Sequence, residues 1–318
     1  MTSPETAAQF PQETSASGAF VRQQYSIRDR ITADGSSGFL AEPGRYHLYV
    51  SLACPWAHRA IIVRGLLGLE DVISMSVVDP VRDERGWAFR DGPGHTADPV
   101  CGFQFLSEAY LATDPGYTGR HTVPCLWDRA SGRLVSNNYP DITIDFETQF
   151  TAFQRPGAPD LYPAALRPEI DSVSELVYAD VNNGVYKAGF ATTQAAYEQA
   201  VTDLFERLDW LEARLSGRRY LVGDTITEAD VRLWTTLARF DAVYHGHFKC
   251  NLRRLVDYPS LWGYARDLYQ RPGFGETVDF DHIKRHYYMT HPAINPTRIV
   301  PLGPITDWDA PHGRGELA

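Results

Sequence analysis

Lysine is almost missing from this chain: three residues stand against 27 arginines in 318 positions. No physical role needs arginine at so many scattered places, so the imbalance reads as coding bias toward GC-rich codons. Cysteine is scarce as well, with four residues at 54, 101, 125 and 250 and no Cys-x-x-Cys spacing. That excludes a zinc knuckle and a disulfide framework, and in a reducing compartment it leaves free thiols. Clustered positive charge is also lacking. The formal net charge is −10, which argues against nucleic acid or an anionic membrane surface as partner, because both are bound by basic residues that neutralise phosphate. No apolar run approaches the length of about 18 residues that spans a bilayer. The opening MTSPETAAQFPQETSASG has no basic region followed by an apolar stretch. These absences lead us to expect a cytoplasmic protein that acts on a small molecule and has no metal site.

What is present divides the chain. A hydrophobic fraction of 43% and a charged fraction of 22% are those of an ordinary globular protein, and the length suits two domains. Residues 1–40, rich in Ser, Thr, Gly, Gln and Pro, read as an extended arm. Residues 41–154 read as an α/β domain. Tyr46-His47-Leu48-Tyr49-Val50 has strand character, and the apolar spacing of Ala60, Ile61, Val63, Leu66 and Leu67 predicts a helix from Trp56 to Leu67. Val72 to Val78 supplies a second strand and completes a β-α-β unit with parallel pairing. A Gly-, Pro- and Asp-rich stretch from Asp79 to Gly119 reads as long loops with short helical pieces. Val123 to Trp127 and Arg133 to Ser136, joined by a turn at Ser131-Gly132, read as a hairpin. A linker at 155–167 precedes an all-helical domain at 168–291, in which Ala195–Leu215 is periodic and Thr227-Glu228-Ala229-Asp230 is a capping box opening a helix through Ala238. A Pro-rich tail follows at 292–318.

The chemistry concentrates at Ala53-Cys54-Pro55-Trp56-Ala57-His58-Arg59. The thiolate is the nucleophile, so a working cysteine needs its pKa drawn down from about 8.5. A strand-Cys-Pro-helix arrangement places Cys54 at a helix N-terminus, where amide groups and the helix dipole favour an anion. Ala57 stands where a dithiol enzyme would carry a resolving cysteine, so the chemistry is monothiol and needs an external thiol. An inert buried cysteine is the alternative, and Cys101, Cys125 and Cys250, lacking this context, read that way. Thr122-Val123-Pro124 reads as a cis X-Pro bond opening a strand, which would leave the Val123 backbone to pair with an extended thiol peptide.

These residues resemble the glutathionyl-hydroquinone reductases, the Xi class of glutathione transferases, from about residue 25 onward. The other motifs that carry the resemblance are Arg120 before Thr122-Val123-Pro124, the run Asn182 to Ala191, His282-Ile283-Lys284-Arg285-His286-Tyr287-Tyr288, and Ile294-Asn295-Pro296-Thr297. The resemblance implies a thioredoxin-like N-terminal domain, an all-helical C-terminal domain, a homodimer, and reduction of S-glutathionyl-hydroquinones with no tightly bound cofactor. It implies Cys54 as nucleophile and Tyr186 and Tyr287 as groups that assist the ring. It implies Trp87 beside the bound thiol, Arg120 for the thiol's carboxylate, and Val123 and Pro124 for its backbone.

One segment departs from the pattern. Where the family usually carries a glutamate and a serine that hold the γ-glutamyl end of glutathione, this chain has Asn138 and Tyr139, with Asp141 as an available acid. The co-substrate is thus expected to be glutathione or another small thiol. With the arginine bias, an actinobacterial member using mycothiol, an amino-sugar conjugate of cysteine, is a specific expectation. Two other functions stay open on the residues alone. One is an omega-like monothiol transferase that deglutathionylates proteins or reduces dehydroascorbate; the other is a non-catalytic binding module with the transferase fold.

Overall fold

A computed structural model of the chain describes residues 13–317; the first twelve residues of the expected arm lie outside them. The chain divides into two compact units. The first comprises 23–158 and 279–299, and the second 13–22, 159–278 and 300–317.

The first unit is built on a four-stranded sheet of order β2-β1-β3-β4, with β1 at Tyr46–Val50, β2 at Ser74–Val77, β3 at Cys125–Asp128 and β4 at Arg133–Ser136. β1 and β2 are parallel, as the β-α-β reading expects, while β3 runs antiparallel to both β1 and β4. The expected hairpin is present, closed at Gly132, where φ is +65°. Helix α1, Pro55–Leu66, buries ten of its twelve residues, including His58 and Arg59. It is therefore a helix covered on nearly every side rather than an amphipathic one. Helix α2 is Leu106–Thr113 and α3 is Tyr139–Thr148. α2 is one of the short helical pieces expected among the loops of 79–119, opened by Glu108, whose carboxylate accepts the Gln104 and Phe105 amides at 2.8 Å each.

The described part of the arm is ordered by backbone bonds. Its 23–40 portion lies along β4, with Asp29 N–H donating to Val135 O at 3.0 Å and Asn137 N–H to Ile27 O at 3.0 Å. Ile31 and Phe39 are buried there.

The second unit is helical: α4 at Arg167–Val177, α5 at Gly184–Gly189, α6 at Gln194–Leu215, α7 at Glu228–Arg239 and α8 at Pro259–Tyr269. α7 opens with the expected capping box. Buried Asp230 also accepts the Leu221 amide at 2.9 Å and the Tyr264 hydroxyl at 2.8 Å, so the cap ties α7 to α8. Two π-helical turns, Tyr178–Asn182 and Phe240–Tyr244, follow α4 and α7. Such turns recur at functional sites. The last helix, α9 at Phe280–Thr290, falls within the range read as the helical domain, yet it groups with the first unit. Its periodicity shows a helix but not its neighbours.

Arg45 and Asp128 fix the β1–β3 register. Arg45 Nε donates to one carboxylate oxygen at 2.8 Å and Nη2 to the other at 2.9 Å, beside the pair Tyr46↔Asp128. Burial alone pushes the Asp128 carboxyl up. The Arg45 pair, the Ser131 hydroxyl and the Ala130 amide more than offset this and hold it below its ordinary value of 3.8. A carboxyl depressed by folding stabilises the fold above that value and loses the contribution as pH falls through its folded pKa. Asp128→Asn is expected to cost roughly 1.5–3 kcal/mol at pH 7, and the deficit should shrink below pH 3.8. Denaturant titrations at neutral and acid pH measure this; an equal deficit at both would show that the charge is not the cause.

Candidate active site

Cys54 is the residue at which β1 turns into α1. Ala53 N–H donates to Ser51 Oγ at 3.3 Å, Cys54 N–H to Ser51 O at 3.1 Å, and the Cys54 carbonyl accepts His58 N–H at 3.0 Å. Cys54 caps α1 in extended conformation with Pro55 behind it, and no acidic residue occupies the first turn. Helix N-termini present amide groups that have no carbonyl within the helix, and their field favours an anion on the cap.

Facing Cys54 is the turn that enters β3. The Val123–Pro124 bond is cis, and Cys54 Sγ–H donates to Val123 O at 3.4 Å. Antiparallel pairing causes this meeting. Tyr49 in β1 pairs with Cys125 in β3, so the chain leaving β1 and the chain entering β3 lie at one end of the sheet.

The remaining cysteines are of a different kind. Burial pushes the Cys125 and Cys250 thiols far above the range in which they ionise at neutral pH. Cys101 is exposed, but partial burial and the Asp98 charge also push it up.

Tyr139 is the first residue of α3. It is 5% exposed, its ring lies 4.7 Å from that of Trp56, and the Arg59 guanidinium sits 4.8 Å from the Trp56 ring and 4.7 Å from the Tyr139 ring. Arg59 was visible in the sequence only as part of a motif; nothing in its spacing announces a buried cation between two rings. Asn138 is also buried and donates from Nδ2 to Asp141 at 2.6 Å. Asp141 is in turn paired with Arg28 at 3.4 Å and Arg30 at 3.5 Å. The acid that the sequence offers in place of the missing glutamate already faces two guanidinium groups.

Trp87 and Tyr287 come together in the first unit through His286, which the residue-level reading left without a role. Trp87 is held on a short ladder in which Leu106 N–H donates to Trp87 O at 2.9 Å. Its ring stacks on His286 at 4.9 Å and 20°, with the Arg82 guanidinium 4.9 Å from it. The Tyr287 ring is 5.2 Å from His286 and 5.8 Å from His291, and it is 1% exposed. His282 and His286, one helical turn apart on α9, each donate a ring N–H to a loop carbonyl: Nε2 to Pro93 at 2.7 Å and Nδ1 to Pro80 at 2.7 Å. That i, i+4 pair was the available signal. Gly94 admits His282; with φ at +75°, a β-carbon there would lie 2.7 Å from the imidazole.

Arg120 is half-buried, and its carbonyl accepts the Tyr117 hydroxyl at 2.8 Å. Tyr186 lies on α5 of the second unit, 9% exposed, among the rings of Phe190, Tyr244 and Phe248 at 6.1, 6.0 and 5.5 Å. Among the described residues no cluster of three or more His, Cys, Asp or Glu side chains could hold a metal ion. No helix described is long and apolar enough to cross a membrane.

The contrast between the four thiols is directly measurable. Brief treatment of the folded protein with iodoacetamide at pH 7, followed by peptide mass spectrometry, should find Cys54 alkylated first, Cys101 more slowly, and Cys125 and Cys250 only after unfolding. Faster labelling of Cys101 than of Cys54 would show that the helix start does not activate the thiol.

Both halves of the chain, the one that carries the Cys54 helix start and the helical one, have relatives among known proteins. The family models for the glutathione S-transferase N-terminal and C-terminal domains match residues 53–149 and 194–267. The chain is 52% identical to the glutathionyl-hydroquinone reductase YqjG of Escherichia coli, over 94% of this chain and 93% of that one. It is 50% identical to the glutathionyl-hydroquinone reductase PcpF of Sphingobium chlorophenolicum, over 91% of each chain. Among solved structures, glutathione-bound YqjG from E. coli superposes with a TM-score of 0.88 at 53% identity, covering 91% of this chain and 96% of that one. A Xi-class transferase from Natrialba magadii gives a TM-score of 0.90 at 46% identity, covering 95% and 96%. With these likenesses running through both domains, the chain belongs to the glutathione S-transferase family and, within it, to the glutathionyl-hydroquinone reductases of the Xi class.

Proposed function

We propose that the chain reduces the thioether of S-glutathionyl-hydroquinones, or of the corresponding conjugates of another small thiol, through Cys54. The observation that carries this reading is Cys54 at the start of α1 with its sulfur 3.4 Å from Val123 O. The names of the relatives at 50–52% identity support the substrate class.

The reaction balances as follows. The hydroquinone conjugate tautomerises, so that the ring carbon bearing sulfur gains a proton and the adjacent phenol becomes a carbonyl. The Cys54 thiolate attacks the substrate sulfur, forming a disulfide to the small thiol. The C–S bonding pair passes into the ring and onto the carbonyl oxygen, which takes a proton and restores the hydroquinone. A second thiolate attacks the mixed disulfide and releases Cys54 as thiolate with the disulfide of two small thiols. Sulfur is oxidised and the ring reduced, with no electron carrier needed. A protein surrounded by reduced small thiol, as in the cytoplasm, keeps this cycle running.

In this reading Tyr186 and Tyr287 supply the hydrogen bonds and the proton at the ring oxygen. Val123 and Pro124 pair with the thiol's backbone, Trp87 packs beside it and Arg120 meets its carboxylate. Asn138 and Tyr139 occupy the place of the γ-glutamyl clamp. With Asp141 shared between Arg28 and Arg30, the clamp offers little net negative charge to an ammonium group. This supports testing a sugar thiol such as mycothiol beside glutathione. The working form proposed is a homodimer.

Turnover of glutathionyl- and mycothionyl-hydroquinones, each with its own thiol, tests the reading. Cys54→Ser should abolish both. Tyr186→Phe and Tyr287→Phe should lower thioether reduction by on the order of 10²-fold while leaving exchange with a simple mixed disulfide, which has no phenolic oxygen, close to the parent rate. Equal loss of both activities would remove the tyrosines from the ring chemistry. A clear preference for glutathione would remove mycothiol.

A further inference from the structure

We propose that Arg22 is a positioning residue for Tyr186: its guanidinium, laid on the face of the phenol and anchored to Asn183, fixes the ring and strengthens its hydroxyl as a proton donor. The inference rests on the proton-donor role given to Tyr186 above.

The contact is specific. Arg22 Cζ lies 4.8 Å from the centroid of the Tyr186 ring and 5.3 Å from that of Phe20. Its Nε donates to Asn183 Oδ1 at 2.8 Å, and Tyr186 N–H donates to Asn183 O at 3.0 Å. Arg22 thus grips both the turn that starts α5 and the side chain that turn carries. Residues 13–22 are bound to the same unit. Thr192 N–H donates to Gly18 O at 2.9 Å, Thr193 Oγ1 to Ser17 O at 2.8 Å, and the Phe20 ring packs 5.4 Å from Phe190. Gly18 permits this approach: its φ is +82°, and a β-carbon would come 2.6 Å from Thr193 Cγ2.

Arg22 lies on the ring face, and the charged and titratable groups described nearby have other settings. Tyr244 approaches as a ring, and Phe190 and Phe248 are uncharged. Phe248 lies so close to α5 that a β-carbon on Gly189 would be 2.2 Å from it. His247, next to Phe248, is pushed down to about 4 by burial and by Lys249, so it is neutral at pH 7. Lys187, on the same helix as Tyr186, donates to Ala179 O at 2.9 Å. Arg207 of α6 is paired with Asp180 of the π turn at 3.0 Å. A cation on the ring face attracts the π electrons and favours the charge that builds on the oxygen as the proton leaves. Holding the ring also preserves the donor geometry between turnovers.

The test is the pH dependence of thioether reduction by the full-length protein, with Arg22→Gln, Arg22→Lys, Tyr186→Phe and the Arg22→Gln/Tyr186→Phe double variant. Arg22→Gln should lower kcat about tenfold with KM within about twofold, and should move the alkaline limb, where the donor loses its proton, up by about one pH unit. Arg22→Lys, which keeps the charge but not the planar fork, should restore part of both. Mixed-disulfide exchange, which uses Cys54 and not the phenol, should stay at the parent rate. The double variant should be no slower than Tyr186→Phe alone. Additive losses, an unmoved alkaline limb, or a matching loss of disulfide exchange would each overturn the role of Arg22. If Tyr186→Phe impairs thioether reduction and Arg22→Gln does not, this inference alone fails. If Tyr186→Phe has no effect, the donor assignment fails and takes this inference with it.

Discussion

The antiparallel pairing of β1 with β3 is the constraint on which the site depends. It brings the end of one strand and the beginning of another to the same edge of the sheet. One of these ends becomes the first turn of a buried helix and the other a cis-proline turn. The Val123 carbonyl and the Cα that carries the sulfur are brought to one edge by the backbone pairing, and the Cys54 side chain spans what remains. The Arg45–Asp128 pair at the far end of the same ladder keeps the strands from slipping, and a slip of one residue would turn every side chain to the opposite face.

Much of this was legible in the sequence because it is written locally. Cys54-Pro55 after an aromatic, β-branched strand specifies a cap and a first helical position, and Thr227 to Asp230 specifies the start of α7 with the bonds found there. Both signals act over a few residues. What the sequence could not carry is long-range packing. Asn138 and Tyr139 stand at the thiol clamp by resemblance alone, and nothing near them in sequence indicates that Trp56 and Arg59 pack against the tyrosine ring. The stretch 79–119 looked irregular because its order comes from small backbone ladders and from Asp98, whose carboxylate accepts the amides of Val100, Cys101 and Phe103. Composition sees the glycines and prolines of such a segment but not the bonds that close it.

The two tyrosines have different settings. Tyr287 is embedded in the first unit beside a histidine that also carries Trp87. Tyr186 sits in the second, in a cage of rings completed by an arginine from residues 13–22. A buried tyrosine combines an apolar ring with a polar hydroxyl, and the ring here is held from several sides.

Helix α9 has a consequence for how the molecule is made. The first unit is not one continuous stretch of chain; it is completed by 279–299, which follow all of 159–278 in sequence. The loop that carries Trp87 is bonded to His282 and His286 of that late segment. During synthesis at the ribosome the sheet and the Cys54 turn can form early, but the Trp87 loop cannot receive its support until residues 279–299 emerge. A truncation that removes α9 would therefore leave the Cys54 turn built and the loop around Trp87 without its histidine supports, although the lost residues lie far from that loop in the sequence.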